Sequence, residues 1–400
     1  MLMNINKDRD MDNKERLLAR EELERGIDTL VWHIRSVTEQ ETGVAASRLT
    51  QSLEKAAVLR VKLEEAGQTL AHGGIVAFPT ETVYGLGADA RNTQAVENVF
   101  AAKGRPSDNP LIVHISDRSQ LEALVTGVNE TERALMDAFW PGPLTLVLPV
   151  KEGAVSPRVT AGLDTVAVRM PDHPVALALI SAAGCPLAAP SANRSGRPSP
   201  TLAEHVLVDL AGRIDGVVDG GPAGVGVEST VVQAGPDGAV TVLRPGGVTE
   251  EQLAAVAASV QRDPALAQAG SLESPAPRSP GMKYTHYAPK GAMCVVQGRD
   301  ADAVASRMAA ELEAAARRGE VTGVLSYDEH IDRFRAGVAV SLGSAAAPEE
   351  AARRLYAGLR RFDDEGVTFI VAEACPEQGL GAAVMNRLLK AAGHHVIHTD

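Results

Sequence analysis

Gly73 to His114 reads GGIVAFPTETVYGLGADARNTQAVENVFAAKGRPSDNPLIVH. The apolar run Ile75-Val76-Ala77-Phe78 has the length and branching of a buried strand, and Pro79, with no N–H for a ladder, stops it. Gly85 and Gly87 follow in a hydroxyl-rich turn, where a missing side chain lets backbone approach a bound molecule closely. A helix is expected from about Thr93 to Ala102, then Lys103-Gly104-Arg105 and Asn109-Pro110 on a loop rich in Gly and Pro. Lys103 and Arg105 lack the spacing of a helical ion pair, so two cations beside a polar loop predict an anion site. Leu111 to Ile115 is the next strand; His114 near its end is, by itself, more often a satisfied core histidine than a ligand.

The alternation of strand and helix continues outward from this stretch, from about Ala66 to Gln261. Further strands are expected at Leu144 to Val150, Val166 to Met170 and Val231 to Val232, and helices at Ser119 to Leu124, Thr131 to Ala138, Val175 to Ala183 and Thr201 to Leu210, the last capped by Thr201. Short helices and long loops point to an α/β or α+β domain with a mixed sheet, and long loops between firm strands usually carry function. From Gly291 on, strands at Met293 to Val296, Val321 to Ser326, Val338 to Ser341 and Thr368 to Ala372 alternate with helices at Ala301 to Arg318, Pro348 to Glu365 and Gly379 to Ala392. That order predicts a small doubly wound parallel sheet, without the Gly-x-Gly-x-x-Gly of a dinucleotide site.

Two segments flank these units. Residues 1–64 read as a helical extension, with Leu23, Ile27, Leu30, Val31 and Ile34, then Leu49, Leu53, Ala56 and Leu63, at helical spacing around a break near Gly43. The Pro, Ala, Ser and Gly of residues 262–290 read as a linker, whose end, Lys283-Tyr284-Thr285-His286-Tyr287-Ala288-Pro289, gathers aromatics in a chain with few. The expected division is therefore 1–64, 65–261, 262–290 and 291–400.

Composition narrows the chemistry. The chain has 400 residues, a formal charge of −12 and only 3% aromatic residues, which disfavours nonspecific polyphosphate binding and base stacking, so any anion site must be local. Cys185, Cys294 and Cys375 lie far apart, which excludes a zinc ribbon or a disulfide framework and suits a reducing cytoplasm. There is neither a signal-peptide core nor a long apolar run for a membrane span.

No Walker A loop, nucleophile elbow or His-Glu-x-x-His is present. The polar clusters lie elsewhere. Arg169 ends a buried-looking strand and offers a planar fork for a carboxylate or phosphate, or for a structural salt bridge. Residues 189–201, APSANRSGRPSPT, pack hydroxyls, an amide and two arginines into a broken loop, and the glycines of 219–226 precede Glu228-Ser229-Thr230.

Together and in this order, the motifs resemble the YrdC-type threonylcarbamoyl-AMP synthase family in its longer two-domain form. They are Pro79-Thr80-Glu81-Thr82-Val83-Tyr84-Gly85-Leu86-Gly87, Lys103-Gly104-Arg105, Pro141-Gly142-Pro143, Arg169-Met170-Pro171, Ser191-Ala192-Asn193, Ser229-Thr230-Val231, Leu243-Arg244-Pro245-Gly246, His286-Tyr287-Ala288-Pro289 and the segment Gly379 to Arg387. The resemblance runs from about Ala66 to the C-terminus. It implies an α/β fold: a YrdC-like twisted mixed sheet with an open cleft, plus a small Rossmann-like doubly wound C-terminal domain behind the N-terminal helical extension.

The resemblance also implies an activity, the condensation of L-threonine, bicarbonate or CO2 and ATP to threonylcarbamoyl-AMP and pyrophosphate, with Mg²⁺. The product feeds threonylcarbamoyl transferase proteins acting on tRNA in the cytoplasm, without a stable nucleic-acid complex. Lys103 and Arg105 would act on the phosphates, with Asn109, Thr165, Ser191, Asn193, Ser199, Arg244 and Tyr287 completing the ATP site. Thr82, His114, Arg169, Ala189 and Ser229 would hold threonine; no residue is assigned to a metal. Rival readings are a double-stranded RNA-binding module of the same fold, opposed by the acidic charge, and a carbamoyl transferase of the hydrogenase-maturation type, opposed by the scattered cysteines.

Overall fold

The computed structural model describes residues 28–34, 45–266 and 287–399. Leu23, Ile27, the break at Gly43 and the linker's Lys283 to His286 lie outside them.

Eleven strands form one mixed sheet: β1 Leu30–His33, β2 Val76–Phe78, β3 Gly85–Asp89, β4 Ile112–His114, β5 Leu144–Pro149, β6 Thr165–Arg169, β7 Leu187–Ala188, β8 Gly216–Asp219, β9 Thr230–Ala234, β10 Ala239–Arg244 and β11 Ser259–Arg262. Their spatial order is β1-β8-β2-β3-β7-β4-β6-β5-β9-β10-β11. The expected strands are present, and both faces of the sheet are covered. Ile75 and Ala77 pack on one side with Val99 and Leu210, whereas Val76 and Phe78 pack on the other with Leu179 and Trp32, as the two-residue period of a strand requires.

Four features differ from the sequence reading. Leu30–His33 is an edge strand paired in parallel with β8: Trp32 and Ile34 are buried while Val31 and His33, which alternate with them, are exposed. Helical spacing and strand alternation share these few positions, and the open sheet edge decides between them. Gly87 lies in β3, where a Cβ would stand 2.9 Å from Cε1 of Phe78; the space that this glycine makes is filled by a core ring rather than a ligand. Finally, the helix expected from Thr201 is Ala203–Leu210; its N-cap is Leu202 without a side-chain bond, and His205 Nδ1 instead accepts from Thr201 N at 3.2 Å. The helix Ala45–Ala71 also runs on past residue 64.

Five strands, β12 Ala292–Gln297, β13 Thr322–Ser326, β14 Val338–Ser341, β15 Phe369–Glu373 and β16 Val396–His398, make the C-terminal sheet in the order β14-β13-β15-β12-β16. Every pairing in it is parallel. Cys294 and Val296 of β12 face the helix Ala301–Arg317, and Met293 and Val295 face the helices Pro348–Asp364 and Gly381–Ala391, the doubly wound arrangement that the alternation predicts.

The two sheets are docked through the second of these helical layers. Val83, Val227 and Tyr287 join its apolar cluster, and a Cβ on Gly226 would lie 2.4 Å from the Ala352 carbonyl oxygen, so the glycine admits helix backbone. Arg360 donates to both carboxylate oxygens of Asp209, at 3.2 and 2.7 Å, across the same junction.

Candidate active site

Adjacent parallel strands β4 and β6 pair His114 with Arg169 in register, so both side chains reach the same end of the sheet. β7, inserted between β3 and β4, runs antiparallel to β4, so Ala189 lies beside Ile112 at the start of that strand; Ala189, Pro190 and Ser191 and the loop Pro79 to Tyr84 that follows β2 border the same depression as His114 and Arg169. A cleft results. Its walls include Thr82, Lys103, Arg105, His114, Arg169, Ala189, Ser191, Asn193, Ser229, Arg244 and Tyr287.

At one end Arg169, 3% exposed, donates through Nη1 to Thr82 Oγ1 at 2.8 Å and through Nε to the Gly142 carbonyl at 3.2 Å. Its Nη2 stands 2.5 Å from Oε1 of Glu81. His114 donates Nδ1–H to the Ile112 carbonyl at 3.2 Å and meets Phe78 edge to face. Burial first, and the Arg169 charge second, bring its pKa down to about 3, so the imidazole is neutral at physiological pH. Ser229 shares a hydrogen bond of 2.8 Å with Thr145.

Cations and the residues 189–201 loop form the other end. Lys103 is the last residue of the helix Thr93–Lys103, which Asn92 caps and Gly104 closes in the left-handed conformation. Its ammonium donates to the carbonyls of Ser191 and Asn193 at 2.5 Å each. Burial, and then the neighbouring Arg105 charge, hold its pKa well below the usual lysine range. An incoming polyanion would reverse that shift. Arg105 reaches the Pro110 carbonyl at 3.2 Å. The Asn193 amide accepts from Ser191 Oγ at 2.6 Å and donates to the carbonyls of Arg194 and Arg197, so it shapes the loop it belongs to. Arg244 ends β10 and donates twice to the Ser229 carbonyl, at 3.1 and 2.9 Å.

Three expected residues do not line the cleft. Thr165 begins β6, at the opposite end from Arg169. Ser199 donates to Glu228 Oε1 at 2.6 Å. Asn109 is fully buried just before the wall residue Pro110, and among the described residues neither its amide nitrogen nor its oxygen has a hydrogen-bond partner. Tyr287 does line it, buried at 6% exposure with φ of 68°, its ring centroid 5.3 Å from that of Tyr356.

The sequence reading gave no role to Glu81, Glu228, Tyr356 or Arg387. Glu228 lines the cleft and accepts from Ser199, Tyr356 and Arg387, the last two from the C-terminal helices. Its signal was present as an acidic residue between a glycine-rich loop and Ser229-Thr230, but its arginine partner lies 159 positions away.

Comparison with known proteins bears on most of the chain. A family model described as telomere recombination matches residues 68–246, and one described as threonylcarbamoyl-AMP synthase, C-terminal domain, matches 248–393. The threonylcarbamoyl-AMP synthase of Bacillus subtilis (strain 168) is 53% identical over 84% of this chain and 94% of its own length. That of Pyrococcus abyssi (strain GE5 / Orsay) is 46% identical over 84% and 95%. The crystal structure of P. abyssi Sua5 complexed with L-threonine superposes with a TM-score of 0.82 at 42% identity, covering 93% of this chain and all of that one.

Proposed function

The chain belongs to the threonylcarbamoyl-AMP synthase family, and we propose that the cleft between β4, β6 and the residues 189–201 loop is its active site. The protein is an enzyme that uses ATP and L-threonine, with bicarbonate or CO2, to make threonylcarbamoyl-AMP for tRNA modification. One observation supports the placement above others: a buried arginine with hydroxyl neighbours at one end of a single cleft, and Lys103, Arg105 and Arg244 also on its walls.

In this reading Arg169 takes the threonine carboxylate as a planar fork, Thr82 and Ser229 supply hydroxyls, the Ala189 backbone forms the wall, and neutral His114 adds no competing charge. Lys103, Arg105 and Arg244 neutralise the phosphates, while Ser191 and Asn193 hold the loop that receives the nucleotide. Asn109 is assigned to ATP because its buried amide has no hydrogen-bond partner among the described residues. Ser199 acts through Glu228, and Thr165 stays a peripheral contact.

The threonine nitrogen, as the free amine, attacks CO2, forming an N–C bond as one C=O π pair moves to oxygen, and its proton passes to water. A carbamate oxygen then attacks the α-phosphorus, a P–O bond forms, the α–β bridge breaks, and pyrophosphate leaves. Such a step needs charge neutralisation and in-line placement rather than a protein nucleophile. Glu81 and Glu228 are tied to arginines, so Mg²⁺ is taken to enter on the triphosphate, its common mode of binding. Tyr287 covers the nucleotide and keeps water from the mixed anhydride.

Residues 65–261 would then carry the chemistry and 291–400 the docked C-terminal domain, with cytoplasmic threonylcarbamoyl transferase proteins consuming the product. The test is pyrophosphate release from ATP by the purified chain. Release that requires both threonine and bicarbonate is expected; release indifferent to threonine would refute the assignment.

A further inference from the structure

Glu228 and Ser229 are neighbours in sequence, as are Arg244 and Pro245, and one C-terminal side chain grips the outer member of both pairs. Arg387, with no exposed surface, donates through Nε to Glu228 Oε2 at 3.0 Å and through Nη1 to the Pro245 carbonyl. Between these anchors lie the inner members, Ser229 and Arg244, which bond each other through the Ser229 carbonyl and, at 3.1 Å, through Ser229 Oγ. The result is a closed ring of contacts with a C-terminal arginine on its outer side. Tyr356 adds a hydroxyl to both Glu228 oxygens, at 3.0 and 2.9 Å, and Ser199 a third donor, so the carboxylate has no freedom to swing.

We propose that Arg387 and Tyr356, acting through Glu228, are positioning residues that set Ser229 and Arg244 for threonine and nucleotide, making the C-terminal domain a working part of the catalytic site. This rests on the assignment of the cleft to threonylcarbamoyl-AMP synthesis. It gives that domain a specific mechanical task.

Backbone packing supports it. A Cβ on Gly246 would lie 2.3 Å from the Glu228 carbonyl oxygen and 2.4 Å from Ser229 C, so the Ser229 and Arg244 chains touch without intervening side-chain atoms. A shift of Glu228 is therefore passed directly to both. The charge is persistent as well. Burial opposes ionisation of Glu228, yet the charges of Arg387 and Arg244 and the Ser199 hydroxyl bring its pKa down to about 2, so Arg387 faces an anion at neutral pH.

A purely adhesive role for Arg387 and Tyr356 predicts lost stability and intact kinetics, whereas a positioning role predicts the reverse emphasis. The experiment measures melting and steady-state constants for ATP and threonine in the full chain with Arg387→Lys and Tyr356→Phe. Arg387→Lys keeps a cation for Glu228 but loses the fork that also reaches Pro245. It should melt cooperatively while kcat/KM for ATP falls roughly tenfold, the scale of one hydrogen bond to a charged group. Tyr356→Phe keeps the ring against Tyr287, removes only the hydroxyl, and should change the same constant in the same direction by a smaller factor; it carries the test if the lysine variant does not fold. Folded variants with lowered melting temperatures but unchanged constants would overturn the proposal and leave the activity standing. An unmutated chain without threonine-dependent pyrophosphate release would overturn both.

Discussion

Arg169, on the cleft wall, and Glu81 form an ion pair of 2.5 Å, their side chains 4% and 12% exposed. The guanidinium is thus held by a carboxylate before any substrate carboxylate arrives, and Thr82 and the Gly142 carbonyl fix its plane. A fork oriented in this way loses its geometry when replaced by a point charge. Arg169→Lys should lower kcat/KM for threonine roughly tenfold or more while leaving the KM for ATP nearly unchanged. Threonine-dependent pyrophosphate release measures it, and unaltered threonine constants would remove Arg169 from that pocket.

His114 makes stability depend on acid. Its folded pKa of about 3 lies below its ordinary 6.5, so the unfolded chain takes up a proton that the fold refuses. The His114 contribution is therefore constant above about pH 6.5 and falls as pH drops toward 3, by up to about 1.4 kcal/mol per pH unit. Denaturant titrations at pH 7, 6 and 5 should show a shallower loss for His114→Gln than for the unmutated chain. Equal slopes would mean that the imidazole is not the group responsible.

Gly246 and Gly104 should respond differently to alanine. At Gly246 a Cβ would meet the backbone of Glu228, Ser229 and Thr230 at 2.3–2.4 Å, and backbone cannot turn aside. Gly104 needs φ of +60° but has open space around its Cβ position. Gly246→Ala should abolish activity and cost several kcal/mol, on the order of the larger overpacking penalties, whereas Gly104→Ala should cost about 1 kcal/mol. Thermal melts and turnover together decide it; a well-folded, active Gly246→Ala would show that the two chains can part.

The edge strand before the long helix should matter to the whole fold. Trp32, 6% exposed, lies over Gly216, where a Cβ would stand 2.1 Å from its ring, and its Nε1 donates to Glu65 at 3.2 Å. Trp32→Ala should cost about 3–5 kcal/mol, the usual loss for a buried tryptophan. A denaturation midpoint unmoved by the substitution would show that β1 contributes nothing.

Much of this was legible in the sequence where the signal is local. The runs around Phe78, Val168 and Val295 are apolar, short and bounded by turn residues, and each is a strand. The helix Thr93–Lys103 was visible from its period, and the cations after it from their lack of helical partners. What escaped depends on distant partners. Gly85 does line the cleft, but Gly87 answers to Phe78 across the hairpin, which no local pattern records. Leu30–His33 is extended because the sheet has a free edge at β8. Glu228 gained its meaning only from Tyr356 and Arg387, brought to it by the docking of a second sheet.

The central claim is that one cleft holds both substrates, threonine at Arg169 and the triphosphate at Lys103 and Arg105. A crystal structure of the chain with ATP and L-threonine tests it most directly. It should show the threonine carboxylate on the Arg169 guanidinium and phosphate oxygens within hydrogen-bond distance of Lys103 and Arg105. Threonine bound away from Arg169, or a triphosphate outside this cleft, would contradict it.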